Sequence, residues 1–151
     1  MSPTLPAVDV IIPTYDNVGQ LREMIESIHD TYENLRIIVV NNGTTPIAQH
    51  LPRTDKIVVV DAGKNLGWEG GLVEGLKNST APFVLFANDD IYVPLSSRDW
   101  LKTMMADMVE NPSVGAIGPS SNIVMLWQSI WSPPFIPRFE YNAALPTPWV
   151  R

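Results

Sequence analysis

The chain has 151 residues, 45% of them hydrophobic, which suits one domain with a sizeable apolar core. Its formal net charge of −6 argues against nucleic acid as a partner, because phosphate backbones are bound by clustered lysine and arginine side chains. No cysteine is present, which excludes disulfides and thiolate chemistry.

The first residues lack the basic and apolar segments of a signal peptide. No apolar run approaches the roughly 18 residues that are needed to span a bilayer. The sequence therefore predicts a cytoplasmic protein without a transmembrane segment, and it leaves peripheral attachment to a membrane open.

Five short apolar runs, each followed by turn-forming residues, predict the strands of the chain. They lie at residues 8–12, 37–40, 57–60, 83–87 and 114–117. The third run ends at an aspartate and a glycine, and the fourth ends at an amide and two acids.

Helical spacing of apolar residues predicts three helices between these runs. The first begins after Asn17, whose side chain is expected to cap it, and the others cover residues 72–77 and 100–108. Because strands that alternate with helices form right-handed βαβ units, we predict a three-layer α/β/α fold around a mainly parallel sheet.

The run at residues 83–87 leads directly into Asn88, Asp89 and Asp90. An uninterrupted apolar run is typical of a strand that is buried on both faces. Two neighbouring carboxylates at its end repel each other unless a cation lies between them, which points to a divalent metal. The alternative is a polar turn whose aspartates bind backbone groups.

Polar or flexible residues follow four of the predicted strands, at residues 14–17, 41–43, 67–71 and 88–90. In parallel sheets the carboxyl ends of the strands meet at one edge, where ligands bind. The four segments together therefore predict a ligand crevice.

Taken in order, residues 10–17, 39–45, 65–71 and 88–90 resemble the motifs of the family 2 glycosyltransferases with the GT-A fold. Within that family the chain is most similar to the rhamnosyltransferase-type branch. Residues 114–119 also match, so that the resemblance covers about residues 7–125.

The resemblance implies a GT-A, Rossmann-like fold and an inverting enzyme. It would transfer a sugar from a UDP- or dTDP-linked donor to a glycan or a lipid-linked acceptor. Residues 1–125 would form the nucleotide-sugar-binding domain, and residues 126–151, rich in proline and aromatic residues, would begin an acceptor half that is incomplete.

The resemblance also implies roles for single residues. Asp89 and Asp90 would be catalytic, Asp89 close to the ribose or sugar and Asp90 the ligand of Mn²⁺ or Mg²⁺. The donor would contact Pro13, Thr14, Tyr15, Asn17, Asn41, Asn65, Gly67, Trp68, Gly71, Asn88 and Asp89.

Three of these positions leave alternatives open. Tyr15 could pack in the core instead of facing a base, and Trp68 could be only a hydrophobic lid. Asn41 stands where the family usually has an aspartate that binds the pyrimidine ring. An amide can accept and donate, so pyrimidine recognition is retained as an expectation; the alternative is a plain turn at Asn41, Asn42 and Gly43.

An inverting enzyme needs a general base for the acceptor hydroxyl. After Asp90 the sequence offers only four acids: Asp99, Asp107, Glu110 and Glu140. The first three fit the polar face of a helix, and the fourth has no matching context. We therefore expect a chain that lacks the base, and the alternative function is a non-catalytic module that binds nucleotide sugar and metal.

Aromatic residues of the tail would then have few neighbours and could promote self-association. They are Trp127, Trp131, Phe135, Phe139, Tyr141 and Trp149. A receiver-like signalling domain is a further alternative, but it requires acids after the first strand, where this chain has Pro13, Thr14 and Tyr15.

Overall fold

A computed structural model describes residues 5–119 and the backbone of residues 131–132 and 136–137. The chain divides into two compact units, residues 1–102 and 103–151. The strands are β1 Val8–Thr14, β2 Leu35–Asn41, β3 Ile57–Asp61, β4 Phe83–Phe86, β5 Trp131–Ser132 and β6 Ile136–Pro137. The helices are α1 Val18–Ile28, α2 Gly67–Lys77 and α3 Trp100–Glu110, with short 3₁₀ turns at Ala48–His50 and Leu95–Ser97.

The first unit contains one sheet of four parallel strands in the order β3-β2-β1-β4. The predicted α/β fold with a mainly parallel sheet is thereby confirmed. Strands β5 and β6 form a separate antiparallel pair.

The register of the sheet aligns the carboxyl ends of three strands. Thr14 at the end of β1 pairs with Asn41 at the end of β2, and Asn41 pairs in turn with Asp61 at the end of β3. These three polar residues therefore lie side by side in one row across the sheet.

The two central strands carry the core. Every residue of β1 is buried, and β2 is buried except for the partly exposed Arg36. Helix α1 contributes the helically spaced residues Leu21, Met24, Ile25 and Ile28, all buried. Burial on both sides explains why these strands read as continuous apolar runs.

Asn17 does not cap α1 in the expected manner. It occupies the N-cap position, but its side chain makes no capping hydrogen bond, and only its carbonyl accepts from the amide of Leu21, at 3.1 Å. Its backbone angles of −100° and 53° lie outside the extended region from which a capping side chain reaches the first turn.

Helix α2 begins five residues earlier than predicted, so that residues 67–71 form its first turns and not a loop. Glycine is unfavourable inside isolated helices, by about 1 kcal/mol relative to alanine. Here two glycines allow close contact with the sheet. A Cβ at Gly75 would collide with Ile11, and one at Gly71 would lie 2.8 Å from the Cβ of Pro13.

A buried carboxylate anchors the amino end of the sheet. Asp9 on β1, 2% exposed, accepts two hydrogen bonds from its cross-strand neighbour Arg36, at 2.8 and 2.7 Å. It also accepts from the Ser79 hydroxyl and the Thr80 amide, both at 2.8 Å, and from the Ala81 amide at 3.0 Å. Asp9 therefore connects β1, β2 and the turn between α2 and β4.

The pKa of Asp9 reflects the balance of these contacts. Burial alone would raise it, but the hydrogen bonds from Arg36, Ala81, Ser79 and Thr80 outweigh burial and hold the pKa far below its ordinary value. The side chain is therefore a permanent anion at any ordinary pH.

Two expectations about strands were wrong. Strand β4 is not buried on both faces; it pairs only with β1 among the described strands, and its last residue, Phe86, is 47% exposed. Residues 114–117, all of them described, form no strand. Gly115 and Gly118 weaken strand propensity in that segment.

Within the described part of the chain, no helix combines the length and the apolar character that crossing a bilayer requires. Glu140 and the side chains of the tail aromatics lie outside the described residues, and self-association stays a prediction.

Candidate functional site

The order of the sheet reverses between β1 and β4, and parallel α/β sheets bind ligands at such a reversal. A hydrogen bond bridges the two strand ends here. The hydroxyl of Thr14 donates to Oδ2 of Asp89 at 2.6 Å, and the amide of Ala87 donates to the carbonyl of Ile11 at 3.1 Å. Asp89 is therefore held at this reversal of the strand order, and its Oδ1 is not engaged by any described residue.

Asp90 follows with an exposed side chain. No group of three or more acidic or histidine side chains that could hold a metal ion occurs among the residues that the structure describes. Magnesium and manganese need fewer, since they are commonly bound by one or two carboxylates together with substrate phosphates. Asp90 and the second oxygen of Asp89 therefore fit a metal ion that arrives with a diphosphate.

Trp68 connects the first turn of α2 to the acidic segment. Its indole N–H donates to Oδ1 of Asn88 at 3.0 Å, and the side chain is 52% exposed. The contact places an aromatic surface against Asn88, which directly precedes the two acids in the sequence, and it occupies the amide oxygen of Asn88.

Asn65 and Asn42 fix the beginning of α2. Asn65 Oδ1 accepts from the amide of Gly67 at 2.8 Å. Asn42, 5% exposed, donates through Nδ2 to the carbonyl of Gly67 at 3.1 Å and accepts from the amide of Leu66 at 3.4 Å. Sequence reasoning assigned Asn42 no separate role; the useful signal was its amide, which donates and accepts at once.

Asp16 closes the turn after β1 onto the turn after β2. Its φ of 53° is the left-handed conformation, and its Oδ1 accepts from the amides of Thr45 and Thr44, each at 3.0 Å. These hydrogen bonds lower the pKa of Asp16, and the bond from Thr45 has the largest effect. A Cβ at Gly43 would collide with the Asp16 side chain, so glycine is required there.

Tyr15, between this turn and β1, has 59% of its side chain exposed and is not a core residue. Its ring is therefore available to a flat ligand. Pro13 is buried beneath Gly71, and Asn17 makes only the backbone contact already described.

The ends of β2 and β3 are joined by side chains. Asn41, 4% exposed, donates through Nδ2 to Oδ1 of Asp61 at 2.9 Å and to the carbonyl of Thr45 at 3.0 Å, while its Oδ1 accepts from the amide of Gly43 at 3.1 Å. Both donor hydrogens of this amide are thus used inside the protein. Asp61 is exposed and follows directly after a predicted strand, but the sequence motifs assigned it no role.

The glycosyl transferase family 2 model matches residues 9–148, which is most of the chain. The chain belongs to glycosyl transferase family 2. The match includes the carboxyl ends of all four strands of the parallel sheet.

Curated relatives agree with this membership. The glycosyltransferase GlyA of Streptococcus pneumoniae is 28% identical over 116 residues, 74% of this chain and 16% of its own. An uncharacterised glycosyltransferase of Haemophilus influenzae is 31% identical over 127 residues, 80% of this chain and 38% of its own. This family 2 chain therefore spans well under half the length of these relatives.

Solved structures share the fold. S. aureus TarS superposes with a TM-score of 0.56 at 23% identity, over 70% of this chain and 20% of TarS. The structure of TarS 1-349 gives a TM-score of 0.55 at 19% identity, over 76% of this chain and 41% of that one. These neighbours confirm a GT-A-like fold.

Proposed function

We propose that this family 2 chain is the donor-binding part of an inverting, rhamnosyltransferase-like glycosyltransferase. It would take a UDP- or dTDP-linked sugar and transfer the sugar to a glycan or a lipid-linked acceptor with the help of Mn²⁺ or Mg²⁺. The observation that carries the proposal is the Thr14–Asp89 hydrogen bond at the reversal of the sheet, with Asp90 exposed beside it.

Two features support binding of a nucleoside diphosphate. The exposed ring of Tyr15 offers an apolar face on which a base can stack. The first turn of α2 presents backbone N–H groups that lack partners within the helix, together with the positive end of the helix dipole, and both favour phosphate oxygens. Asn65 and Asn42 hold that turn in place.

Asp90 and the second oxygen of Asp89 would hold the metal ion. When bound, the ion supplies Lewis-acid stabilisation of the charge that develops on the departing nucleoside diphosphate. The residues of the chain do the positioning: Thr14 fixes the plane of the Asp89 carboxylate through its hydrogen bond, and Trp68 holds Asn88 beside it.

The test is calorimetric titration of the chain with UDP, dTDP and GDP, each with and without Mn²⁺. We expect UDP or dTDP to bind, and Mn²⁺ to tighten binding about tenfold or more, because a cation held by Asp89 and Asp90 would offset the charge of the diphosphate. Absence of binding by all three nucleotides would refute the proposal.

A second measurement separates transfer from binding. Release of UDP or dTDP from a sugar donor in the presence of a glycan acceptor is expected for an enzyme. Binding without any release, from the donor that binds best, would favour the non-catalytic alternative.

A further inference from the structure

We propose that Asp61 reads the base of the nucleotide donor and that Asn41 is a positioning residue that orients it. The inference rests on the proposed function, because it assigns the base-reading role within the same donor site. Its basis is the hydrogen bond of 2.9 Å between Asn41 Nδ2 and Asp61 Oδ1, at the aligned ends of β2 and β3.

Asn41 has no donor left for a ligand. A side-chain amide carries two N–H donors, and here they bind the carbonyl of Thr45 and the carboxylate of Asp61. The amide oxygen accepts from Gly43, and the side chain is 4% exposed. To bind a base through its N–H groups, Asn41 would have to give up an internal hydrogen bond.

Asp61 has the opposite character. Its side chain is exposed, and Oδ2 has no partner among the described residues. The bond from Asn41 restrains the carboxylate at its other oxygen, and the amide of Ala62 donates to the carbonyl of Asn41 at 3.0 Å, which holds the backbone on both sides of the pair. An ordinary surface aspartate is not held by a buried amide in this way. The arrangement resembles a group that is oriented before its ligand arrives.

The chemistry of a carboxylate then selects the base. A carboxylate only accepts hydrogen bonds, so it suits a base with an N–H at its pairing edge. Uracil and thymine have such a group at N3, whereas N3 of cytosine is itself an acceptor and would face the carboxylate without a hydrogen. Asp61 therefore favours uridine or thymidine diphosphates over cytidine diphosphate.

Asp61→Asn tests this directly, because it keeps an oxygen for Asn41 and converts the free oxygen into a possible N–H donor. We compare the dissociation constants of UDP and CDP, with Mn²⁺, for the wild type and the variant. The wild type is expected to prefer UDP. In Asp61→Asn the preference is expected to fall about tenfold or more, in keeping with the loss of one hydrogen bond to a charged group.

The matched control is Asp55→Asn. Asp55 is an exposed aspartate in the turn that precedes β3, at the amino end of that strand. The control variant therefore removes the same charge far from the carboxyl ends of the strands. Its UDP-to-CDP ratio is expected to equal that of the wild type. A general electrostatic effect would change both variants alike and would overturn the inference.

The outcomes separate the two proposals. dTDP is titrated alongside, and if the wild type binds none of UDP, dTDP and CDP, the proposed function fails. If it binds UDP but Asp61→Asn keeps the wild-type ratio, Asp61 does not read the base, while the proposed function stands. Asp61→Ser is measured beside Asp61→Asn as a second variant that lacks the carboxylate. Because UDP and CDP bind the same folded molecules, the ratio of their dissociation constants does not depend on how much of either variant is folded.

Discussion

Replacing Asp9 with asparagine is expected to lower the free energy of unfolding by about 3 kcal/mol, at the lower end of the range for breaking a buried ion pair. Asp9 is 2% exposed and accepts five hydrogen bonds, and an amide in its place would turn its N–H groups toward a donor of Arg36 in either orientation. Arg36 is one-third exposed at its side chain, so water can partly compensate its lost partner, which places the loss near the lower end. The measurement is urea unfolding followed by circular dichroism.

The same substitution changes the dependence of stability on pH. The pKa of Asp9 is lowered on folding, so its contribution is fully present above the unfolded value of 3.8 and is lost as the pH falls below that value. The difference between the wild type and Asp9→Asn should therefore be constant at neutral pH and shrink below about pH 4. Asp55→Asn, on an exposed side chain, is the control and should stay within about 0.5 kcal/mol of the wild type. An Asp9→Asn protein as stable as this control would contradict the role of Asp9.

Asp90→Ala is expected to weaken the binding of Mn²⁺ in the presence of UDP by about 100-fold or more, since even outer partners of metal ligands cost about 10–100-fold. Asp90 is exposed and has no structural role in the sheet, so the variant should unfold at the wild-type temperature. Calorimetry measures two quantities: the dissociation constant of Mn²⁺ in the presence of UDP, and the ratio of UDP affinities with and without Mn²⁺.

Asp55→Ala provides the control for Asp90→Ala, because it removes the carboxylate of another exposed aspartate, far from the acidic segment. In that control the effect of Mn²⁺ on UDP binding should be preserved. If Mn²⁺ improves UDP binding equally in Asp90→Ala and in the wild type, Asp90 is not a metal ligand.

Local pattern predicted the centre of the sheet well and its periphery poorly. Strands β1 and β2 are continuous apolar runs and helix α1 has helically spaced apolar residues, and the structure confirms all three. The burial of β4 depends on strand order, which is not encoded within a run of five apolar residues. Residues 67–71 read as a loop because glycine disfavours isolated helices, whereas the close approach of Gly71 to Pro13 and Asn42 depends on distant parts of the chain.

The candidate site likewise contains contacts that local sequence predicts and contacts that depend on the register of distant strands. Thr14 and Asp89 could be expected at one sheet edge because both follow predicted strands, and the structure joins them. The pairing of Asn41 with Asp61 requires the register between β2 and β3, which no local motif contains. An acid after a strand also looks like an ordinary polar turn, so its local sequence assigns Asp61 no role.

Side-chain hydrogen bonds link β1 to the β4 segment at both ends of the strand pair. Asp9 forms them at the amino end, and the Thr14–Asp89 bond lies at the carboxyl end. About 16 Å of strand separates Asp9 from Thr14, at roughly 3.3 Å per residue. A substitution of Arg36 or Ser79 would thus lower the fraction of folded protein, and with it the amount of intact acidic segment, without touching a substrate. In a screen that records only product formation, such variants would be indistinguishable from active-site variants, and only a parallel measurement of folding would assign them correctly.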